Sequence, residues 1–240
     1  MAQKILIASG KGGVGKTSCT VGIGRALARD YEKSVLLIDG DVGLRSLDVL
    51  LGVSDRIVYD WGDVIFDRCL PPAATVPCGS VDLLTCPLQF DEAFTPESMK
   101  KMISKYDGEY DFIIIDAPAG IDIGFTLSAC AADRALIVST ADKVCVRSAQ
   151  RAGEKLEDMG IEDIRLIINR FKKKSVTAKK LLNIDSVIDE TMIQLIGIVP
   201  EDEEVTFGKV YQKKSQPSSQ AFVRIAGRIL RREIPLALNF

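Results

Sequence analysis

The stretch ASGKGGVGKTSCT, residues 8–20, decides the fold. Within it, residues 10–17 read G-K-G-G-V-G-K-T, a complete match to the phosphate-loop pattern G-x-x-x-x-G-K-[ST]. An apolar run precedes this loop and a helix-length segment follows it, which is the context that the pattern requires. Backbone N–H groups of such a loop converge on phosphate oxygens, and the positive end of the helix strengthens their attraction. We therefore predict a nucleotide site with Lys16 on the β- and γ-phosphates and Thr17 on Mg²⁺. The residues expected to contact the phosphates or the metal are Gly12, Gly13, Val14, Gly15, Lys16, Thr17 and Ser18.

A second lysine in the loop, Lys11, needs its own explanation, because one lysine is enough to hold a phosphate. Its side chain lies one residue into the turn and need not fold onto the phosphates of its own loop. It can instead reach a nucleotide bound by a second copy of the chain and stabilise charge that develops during phosphoryl transfer, as an arginine finger does. This interpretation predicts a catalytic dimer. A solvated loop lysine is the simpler alternative and stays open.

Short apolar runs alternate with helix-length segments along the whole chain. The runs lack strict alternation, which is typical of strands buried on both faces of a parallel sheet. We therefore predict an α/β fold, a doubly wound and mostly parallel sheet flanked by helices, in a single domain over residues 1–240. The runs are 4–8, 34–39, 81–86, 111–116, 134–140, 164–169 and 195–200, and the helical segments include 17–29, 95–105, 142–158 and 217–232. Residues 68–80, rich in proline and small side chains, predict a surface loop.

Composition limits the classes of function that the chain could have. With a formal net charge of −2, the chain has no global attraction to nucleic acid or anionic membranes, so any basic contact must be a local patch. Histidine is absent, so catalysis would depend on carboxylates, lysines or a metal. The six cysteines form no C-x-x-C pair and predict free thiols in a reducing compartment. We see neither a secretory signal nor an apolar run of roughly 18–20 residues, and expect a cytoplasmic protein.

Residues 11–17, KGGVGKT, resemble the deviant Walker A motif of the MinD/ParA family of P-loop ATPases. Residues 36–53 resemble the switch I region of that family, and residues 113–122 resemble its Walker B and switch II region. Further family blocks follow in the right order at 132–151, 168–171 and 197–205. The resemblance covers nearly the whole chain. It implies a P-loop NTPase of the SIMIBI type that binds ATP and Mg²⁺, forms a homodimer when ATP is bound, and hydrolyses ATP slowly.

The resemblance also implies a role in placing the division septum, with a MinC-like inhibitor and a MinE-like activator as partners. Proteins of this type attach to the inner face of the membrane through a short C-terminal helix. Here residues 218–240 align with the last core helix plus a short tail, so a full targeting helix is not evident. The apolar stripe of that last helix is more typical of core packing, and we expect at most weak membrane attachment.

Three carboxylates are expected to serve the metal and the hydrolytic water. Asp39 and Asp41 follow the second apolar run, where carboxylates at a strand end can bind metal waters or orient an attacking water. The resemblance places Asp41 beside the hydrolytic water and Asp39 close to the metal and the loop. Asp116 follows a run of four apolar residues, a Walker B pattern that delivers one carboxylate to the Mg²⁺ shell.

The adenine pocket is predicted from later blocks. Asn169 ends an apolar run, and its amide can donate to and accept from the adenine edge, the role that the family gives this position. Arg170 follows it, and Pro200, Glu201 and Asp202 are expected to help close the pocket. Strand-end asparagines and acidic residues also occur as plain turn residues, and that alternative stays open for this group.

Two positions depart from the family pattern and leave partner identity and control of hydrolysis open. Ser46 and Ser148 stand where asparagine and aspartate are usual, near the dimer or partner face. A flagellar-placement ATPase or a ParA-type DNA-segregation ATPase is the first alternative. DNA binding is not expected, although basic clusters at 172–174, 179–180 and 213–214 would be its footprint. A metal-cluster carrier like the nitrogenase iron protein is remote, with Cys86 and Cys130 as its candidate ligands.

Overall fold

A computed structural model describes residues 1–172, 176–177, 181–206 and 208–236. Within these residues, eight strands form one sheet in the order β3-β4-β2-β5-β1-β6-β7-β8. All neighbours pair in parallel except β3 and β4 at one edge, which are antiparallel. The strands are β1 (Gln3–Ala8), β2 (Val35–Asp39), β3 (Thr75–Cys78), β4 (Val81–Leu84), β5 (Phe112–Asp116), β6 (Arg134–Ser139), β7 (Ile164–Phe171) and β8 (Leu195–Pro200).

Helices connect the parallel strands and cover both faces of the sheet. The helices of the described residues are α1 (Lys16–Asp30), α2 (Ser46–Leu51), α3 (Trp61–Ile65), α4 (Pro71–Ala74), α5 (Pro96–Ser104), α6 (Ile123–Ala129), α7 (Lys143–Asp158), α8 (Ile184–Thr191), α9 (Glu203–Thr206) and α10 (Pro217–Ile229), with one 3₁₀ turn at Ser54–Arg56. None of the helices in the described part of the chain combines the length and the hydropathy that a bilayer crossing needs.

Two hydrophobic clusters fill the space on the two sides of the sheet. Alternate residues of β1 point to opposite faces: Ile5 and Ile7 belong to the cluster under α1 and α10, and Leu6 belongs to the other. The second cluster continues into α3, α5, α6 and α7. Every residue of β2, β5 and β6 is buried, which explains why these runs show no polar alternation. The prediction of a doubly wound, mostly parallel sheet is confirmed.

Residues 68–80 were predicted to be a surface loop, and this prediction was wrong. The segment contains α4 and the edge strand β3, which pairs antiparallel with β4 through Val76 and Leu83. Proline is tolerated there because an edge strand donates hydrogen bonds on one side only, and Pro77 is exposed. The short helices α2, α3 and α6 were also not predicted, since fewer than eight residues give too little periodicity to recognise.

The topology brings the connections that follow β1, β2, β5, β7 and β8 to the same edge of the sheet, because parallel strands end there together. From β1 the chain continues toward the β3 end of the strand order, and from its neighbour β6 it continues toward the β8 end. The loop after β1 therefore lies at a topological switch point. Ligands of open α/β sheets bind in the crevice at that position. The predicted phosphate loop, Asp39, Asp116, Asn169 and Pro200 all lie at this edge.

Candidate nucleotide site

The phosphate loop joins β1 to α1 and is held from two sides. Gly13 and Gly15 have left-handed backbone conformations, with φ of +80° and +93°. A Cβ on Gly15 would lie 2.3 Å from Asn169 Nδ2, and one on Gly10 would lie 2.0 Å from the backbone oxygen of Ser148. Glycine at these positions therefore lets β7 and α7 pack directly against the loop.

The loop leads into α1, whose first residue is Lys16. No side chain caps this helix, so the backbone N–H groups of its first turn are available to an anion. Lys16 is only 8% exposed, while Thr17 and Ser18 are half-buried and face the adjoining pocket. The structure thus brings all three residues to the start of the same helix, as the motif predicts.

Lys11 differs from Lys16 because its side chain is exposed at the rim of the loop. The hydroxyl of Ser9 donates to the backbone oxygen of Lys11 at 2.8 Å, which fixes the backbone but leaves the ammonium group outside. Asp142, at the start of α7, is the nearby carboxylate. Burial alone would raise the pKa of Asp142, yet hydrogen bonds from Thr140 and Cys145 and the charge of Lys11 lower it.

Asp116 is the buried carboxylate at the centre of the site. Burial, with a smaller contribution from the charge of Asp39, raises its pKa to about 7, although the charge of Lys16 opposes this rise. The hydroxyl of Thr20 donates to Asp116 Oδ1 at 3.0 Å, a contact that the sequence did not indicate. A buried carboxylate of this kind is stabilised in its charged form by a cation. Carboxylate and threonine oxygens are the ligands that Mg²⁺ prefers, so these residues fit that ion.

Asp39 shapes the loop that follows β2. The residue is fully buried, and its two carboxylate oxygens accept hydrogen bonds from the backbone N–H groups of Asp41 and Leu47, each at 2.9 Å. The indole N–H of Trp61 donates to the backbone oxygen of Asp39 at 2.9 Å. Burial raises the pKa of Asp39 although both backbone hydrogen bonds lower it. Asp39 therefore fixes the backbone conformation of residues 40–47 through these hydrogen bonds.

Asp41 is half-buried at the start of that loop. Burial raises its pKa, and the charge of Lys16 lowers it, which shows that the two groups face the same space. The backbone oxygen of Asp41 accepts hydrogen bonds from the N–H of Leu44 and from the thiol of Cys86. The carboxylate is thus fixed near the phosphate loop by its backbone and remains available to a solvent molecule.

A pocket of about 450 Å³ opens beside the first turn of α1 and contains all of the residues predicted for adenine. Asn169 Nδ2 donates to the backbone oxygen of Val14 at 2.8 Å, so one of its two N–H groups already braces the phosphate loop. Asp202 accepts from the hydroxyl of Ser218 at 2.5 Å, and Glu201 pairs with Lys172. Arg170 is exposed, with φ of +53°.

Other walls of this pocket were missed by the sequence analysis. The additional lining residues are Leu44, Val49, Leu50, Val199, Val205, Thr206, Gly208 and Phe222. Leu44 and Val49 are more than 70% exposed, so apolar surface is open to a ligand there. The run LDVLL at 47–51 is the only local signal for this wall, and it is too short to indicate where its side chains would lie.

The two departures from the family pattern occupy different places. Ser46 begins α2 and lines the pocket of about 450 Å³. Ser148 lies on α7 behind the phosphate loop, and its hydroxyl donates to the backbone oxygen of Val144 at 2.8 Å. Ser148 therefore contacts the loop through its backbone, which explains why Gly10 has no room for a side chain.

The candidate ligands of a metal cluster are poorly suited to that role. The Cys86 thiol is buried and hydrogen-bonded to the backbone of Asp41, and burial raises its pKa. Burial also raises the pKa of Cys130 to about 11, so neither is a thiolate at neutral pH. Among the residues that the structure describes, no three histidine, cysteine or acidic side chains group as metal ligands.

The sheet order and the loop at its switch point define a P-loop nucleotide-binding protein. Residues 1–230 match a family model described as "ParA: NUBPL iron-transfer P-loop NTPase". The chain belongs to the MinD/ParA family of P-loop ATPases.

Relatives and solved structures cover nearly the whole chain. The septum site-determining protein MinD of Synechocystis is 37% identical over 245 residues, which are 98% of this chain and 92% of that protein. In the MinC:MinD cell division protein complex of Aquifex aeolicus, a chain 38% identical superposes with a TM-score of 0.89 and 98% of each chain covered. MinD of Pyrococcus horikoshii, solved with Mg-ADP, is 25% identical with a TM-score of 0.83, covering 95% of this chain and 96% of that one.

Proposed function

We propose that the chain is a MinD-like ATPase, a switch that dimerises on binding Mg-ATP and returns to monomers on hydrolysing it to ADP and phosphate. The observation that carries this proposal is the contrast between the two loop lysines. Lys16 is buried at the start of α1, whereas Lys11 is exposed at the rim. A cation outside the pocket can serve a nucleotide held by a second copy, which would make hydrolysis depend on pairing.

Within one subunit, the loop and α1 bind the phosphates. Backbone N–H groups of residues 12–18 surround the phosphate oxygens, and Lys16 neutralises their charge. Thr17 and Asp116 would hold Mg²⁺, which would supply charge neutralisation on the phosphates. Asp41 orients the attacking water, and Asp39 acts as its positioning residue through the hydrogen bond to the Asp41 N–H.

The adenine would occupy the pocket of about 450 Å³ between α2 and the loop after β8. Asn169 has a second N–H and its carbonyl oxygen left for the base edge after bracing Val14. The hydrogen bond from Ser218 to Asp202 ties the start of α10 to the pocket wall. Pro200 and Glu201 line the same wall, and Arg170 lies beside Asn169 at the entrance.

The dimer is tested by sedimentation velocity of the full chain with ATP and Mg²⁺. Lys16→Ala should remain a monomer because it cannot hold the phosphates. Asp41→Ala should accumulate as a dimer because it binds ATP without completing hydrolysis, and Lys11→Ala should neither hydrolyse ATP at the normal rate nor pair stably. Lys101→Ala, which removes an exposed lysine of α5, is the matched control. A monomeric Asp41→Ala protein in saturating ATP would contradict the cross-subunit role of Lys11.

In the cell, we propose spatial regulation of division-septum placement, which is supported by the likeness to MinD proteins. A MinC-like inhibitor is the proposed partner, and a MinE-like activator would set the rate of hydrolysis. Localisation of a fluorescent fusion separates this role from the alternatives. Accumulation at poles or septum supports it, and coincidence with the nucleoid would favour ParA-type segregation instead.

Weak attachment to the inner membrane face is proposed for the ATP-bound form through residues after α10. Residues 237–240 lie outside the described part of the chain. Co-sedimentation with anionic vesicles in ATP should exceed that of a chain ending at Arg232. Equal pelleting of the two chains would exclude a role for the tail.

DNA binding is disfavoured by the surroundings of the basic clusters. Lys172 pairs with Glu201, and Lys214 lies 2.6 Å from Asp30, so two of these positive charges have acidic partners. Residues 173–174 and 179–180 lie outside the described residues. Salt-dependent retardation of plasmid DNA by the ATP form would reinstate this alternative.

A further inference from the structure

A second pocket, of about 340 Å³, lies at the end of the sheet opposite the nucleotide site. It is formed where β6, β7 and β8 begin and where α10 ends, and its charged lining residues are Arg134, Asp163, Arg165, Arg228 and Arg231. β6 has six residues, so at about 3.3 Å per residue the two sites are roughly 20 Å apart. Its volume falls in the lower part of the range of about 300–1,000 Å³ that is typical of small-ligand sites.

Two of the arginines form the floor of the pocket and are held by the protein itself. Arg134 is 7% exposed, pairs with Asp163, and donates from Nη1 to the backbone oxygen of Ile229 at 3.2 Å. Arg228 donates from Nη1 to the backbone oxygen of Ile196 at 2.6 Å, and its other nitrogens donate to Ile234. These contacts fix the two guanidinium planes, so the floor is rigid before any ligand arrives.

The other two arginines lie at the rim. Arg165 pairs with Asp163 through Nε, which lies 3.2 Å from Asp163 Oδ1, so its two terminal nitrogens are not needed for that ion pair. The Arg165 side chain is 36% exposed. Arg231 is exposed and follows α10, with a left-handed backbone conformation of φ +59°. Each rim arginine can therefore donate to a ligand without breaking a contact of the fold.

The charges of this pocket are unbalanced. Four arginines face one aspartate among the lining residues, an excess of three positive charges. Burial lowers the pKa of Arg228, and the charge of Arg224, which lies outside the pocket lining, lowers it further. Like charges held this close repel one another unless an anion lies between them. The net positive charge of the lining would therefore attract an anionic ligand.

We propose that this pocket binds a phosphate group, either of a soluble phosphate compound or of an anionic phospholipid headgroup. Guanidinium groups match a phosphate because their planar N–H pairs donate to two of its oxygens at once. Arg165 and Arg231 would close on the phosphate from the rim above the fixed floor. Gln194, an exposed lining residue, would contact the esterified group.

The first experiment measures the thermal unfolding midpoint of the full chain as inorganic phosphate is added, with sodium chloride keeping the ionic strength constant. Mg-ADP is present at saturation throughout, so that added phosphate can act at the phosphate loop only in the γ-phosphate position, which the variants below leave unchanged. The midpoint of the unchanged chain should rise with phosphate and then saturate, as a ligand that binds the folded state requires.

The variant that tests the pocket is Arg165→Ala combined with Arg231→Ala, because both side chains are at the surface and outside the nucleotide machinery. The apparent affinity for phosphate should fall at least about tenfold, since each lost charge-assisted contact is worth about that factor. Arg147→Ala combined with Arg151→Ala is the matched control: both lie exposed on α7, and the change in net charge is the same. In this control, the unfolding midpoint should rise with phosphate as it does in the unchanged chain.

A second arm separates the two sources of the phosphate group. The same proteins in Mg-ADP are sedimented with vesicles of phosphatidylglycerol and phosphatidylcholine, and with phosphatidylcholine alone. Both proteins keep the same C-terminal tail, so a difference between them reports the pocket. Loss of pelleting by the rim variant assigns the site to a lipid headgroup, and a phosphate response without a vesicle difference assigns it to a soluble ligand. The proposal is overturned if the rim variant shows the same phosphate affinity and the same vesicle pelleting as the unchanged chain. It is also overturned if the α7 control loses as much phosphate affinity and pelleting as the rim variant does.

Discussion

Asp116→Asn should make the nucleotide-free chain more stable at neutral pH, although it removes a residue of the proposed metal site. The carboxylate is 2% exposed, and burial raises its pKa to about 7. Asparagine has nearly the same shape, and its carbonyl oxygen can still accept the hydrogen bond from Thr20. The substitution therefore removes a buried negative charge and leaves the packing in place.

The size of the effect follows from the pKa shift. The pKa of Asp116 rises from 3.8 to about 7 on folding. One pKa unit corresponds to about 1.4 kcal/mol, so the free energy at stake is on the order of 4 kcal/mol. The folded chain holds this proton more tightly than the unfolded chain. Its stability should therefore be highest below about pH 4 and fall as the pH rises toward 7, whereas the asparagine variant loses no such contribution.

Urea unfolding in EDTA at several pH values between 4.5 and 8 measures this difference, because the range runs from just above the pKa of the unfolded chain to above that of the folded chain. Trp61 is the only tryptophan and is 1% exposed, so its fluorescence reports unfolding. Far-ultraviolet circular dichroism gives an independent reading, because Trp61 also contacts Asp39. Asp189→Asn on α8, which removes the same charge from an exposed position, is the control.

The free energy of unfolding of Asp116→Asn should exceed that of the unchanged chain by only about 1 kcal/mol at pH 4.5 and by about 4 kcal/mol at pH 8. With Mg-ADP added, the unchanged chain should become the more stable of the two proteins, because the cation stabilises its charged carboxylate and the asparagine variant has no such charge. A constant difference between the two proteins across the whole pH range would refute the reasoning. So would an equal gain from Asp189→Asn.

Three further outcomes are expected. Gly15→Ala should weaken the affinity for a fluorescent ADP analogue at least about tenfold, since its Cβ would lie 2.3 Å from Asn169 Nδ2. Gly79→Ala, also at positive φ but in open space, should bind normally, and similar losses in both would contradict the steric explanation. Asp39→Ala should lower the free energy of unfolding by about 1–3 kcal/mol, because two backbone N–H groups lose their acceptor, and should slow ATP hydrolysis; unchanged hydrolysis would remove its positioning role. Phe222→Ala should cost about 3–5 kcal/mol in urea unfolding, and a loss under about 1 kcal/mol would show that the side chain is not part of the core.

Features that depend on neighbours in the sequence could be predicted well. The phosphate loop was recognisable because its chemistry resides in eight consecutive residues, 10–17. The central strands were recognisable because burial on both faces leaves continuous apolar runs, as in β2 and β5. The edge strand β3 was missed because it is short, contains Pro77, and depends on pairing with β4 for its definition.

Contacts between distant residues could not be predicted in this way. Asn169 was expected to face adenine, and it also braces Val14, 155 residues away. Asp39 was assigned to the metal, and its carboxylate also accepts the N–H groups of Asp41 and Leu47. Spacing along the chain gives no information about which partner a buried polar group will find, because the sheet order decides which loops meet.

The sequence by itself determined the phosphate-loop motif and the layered α/β plan, since the backbone geometry of a glycine loop and the burial of apolar strands are local properties. Only the tertiary structure decided which groups share a space: Lys16 with Asp41 and Asp116 at one end of the sheet, and the arginines of the second pocket at the other. The physical reason is that electrostatic and hydrogen-bond energies depend on distances of a few ångströms, and folding alone sets those distances.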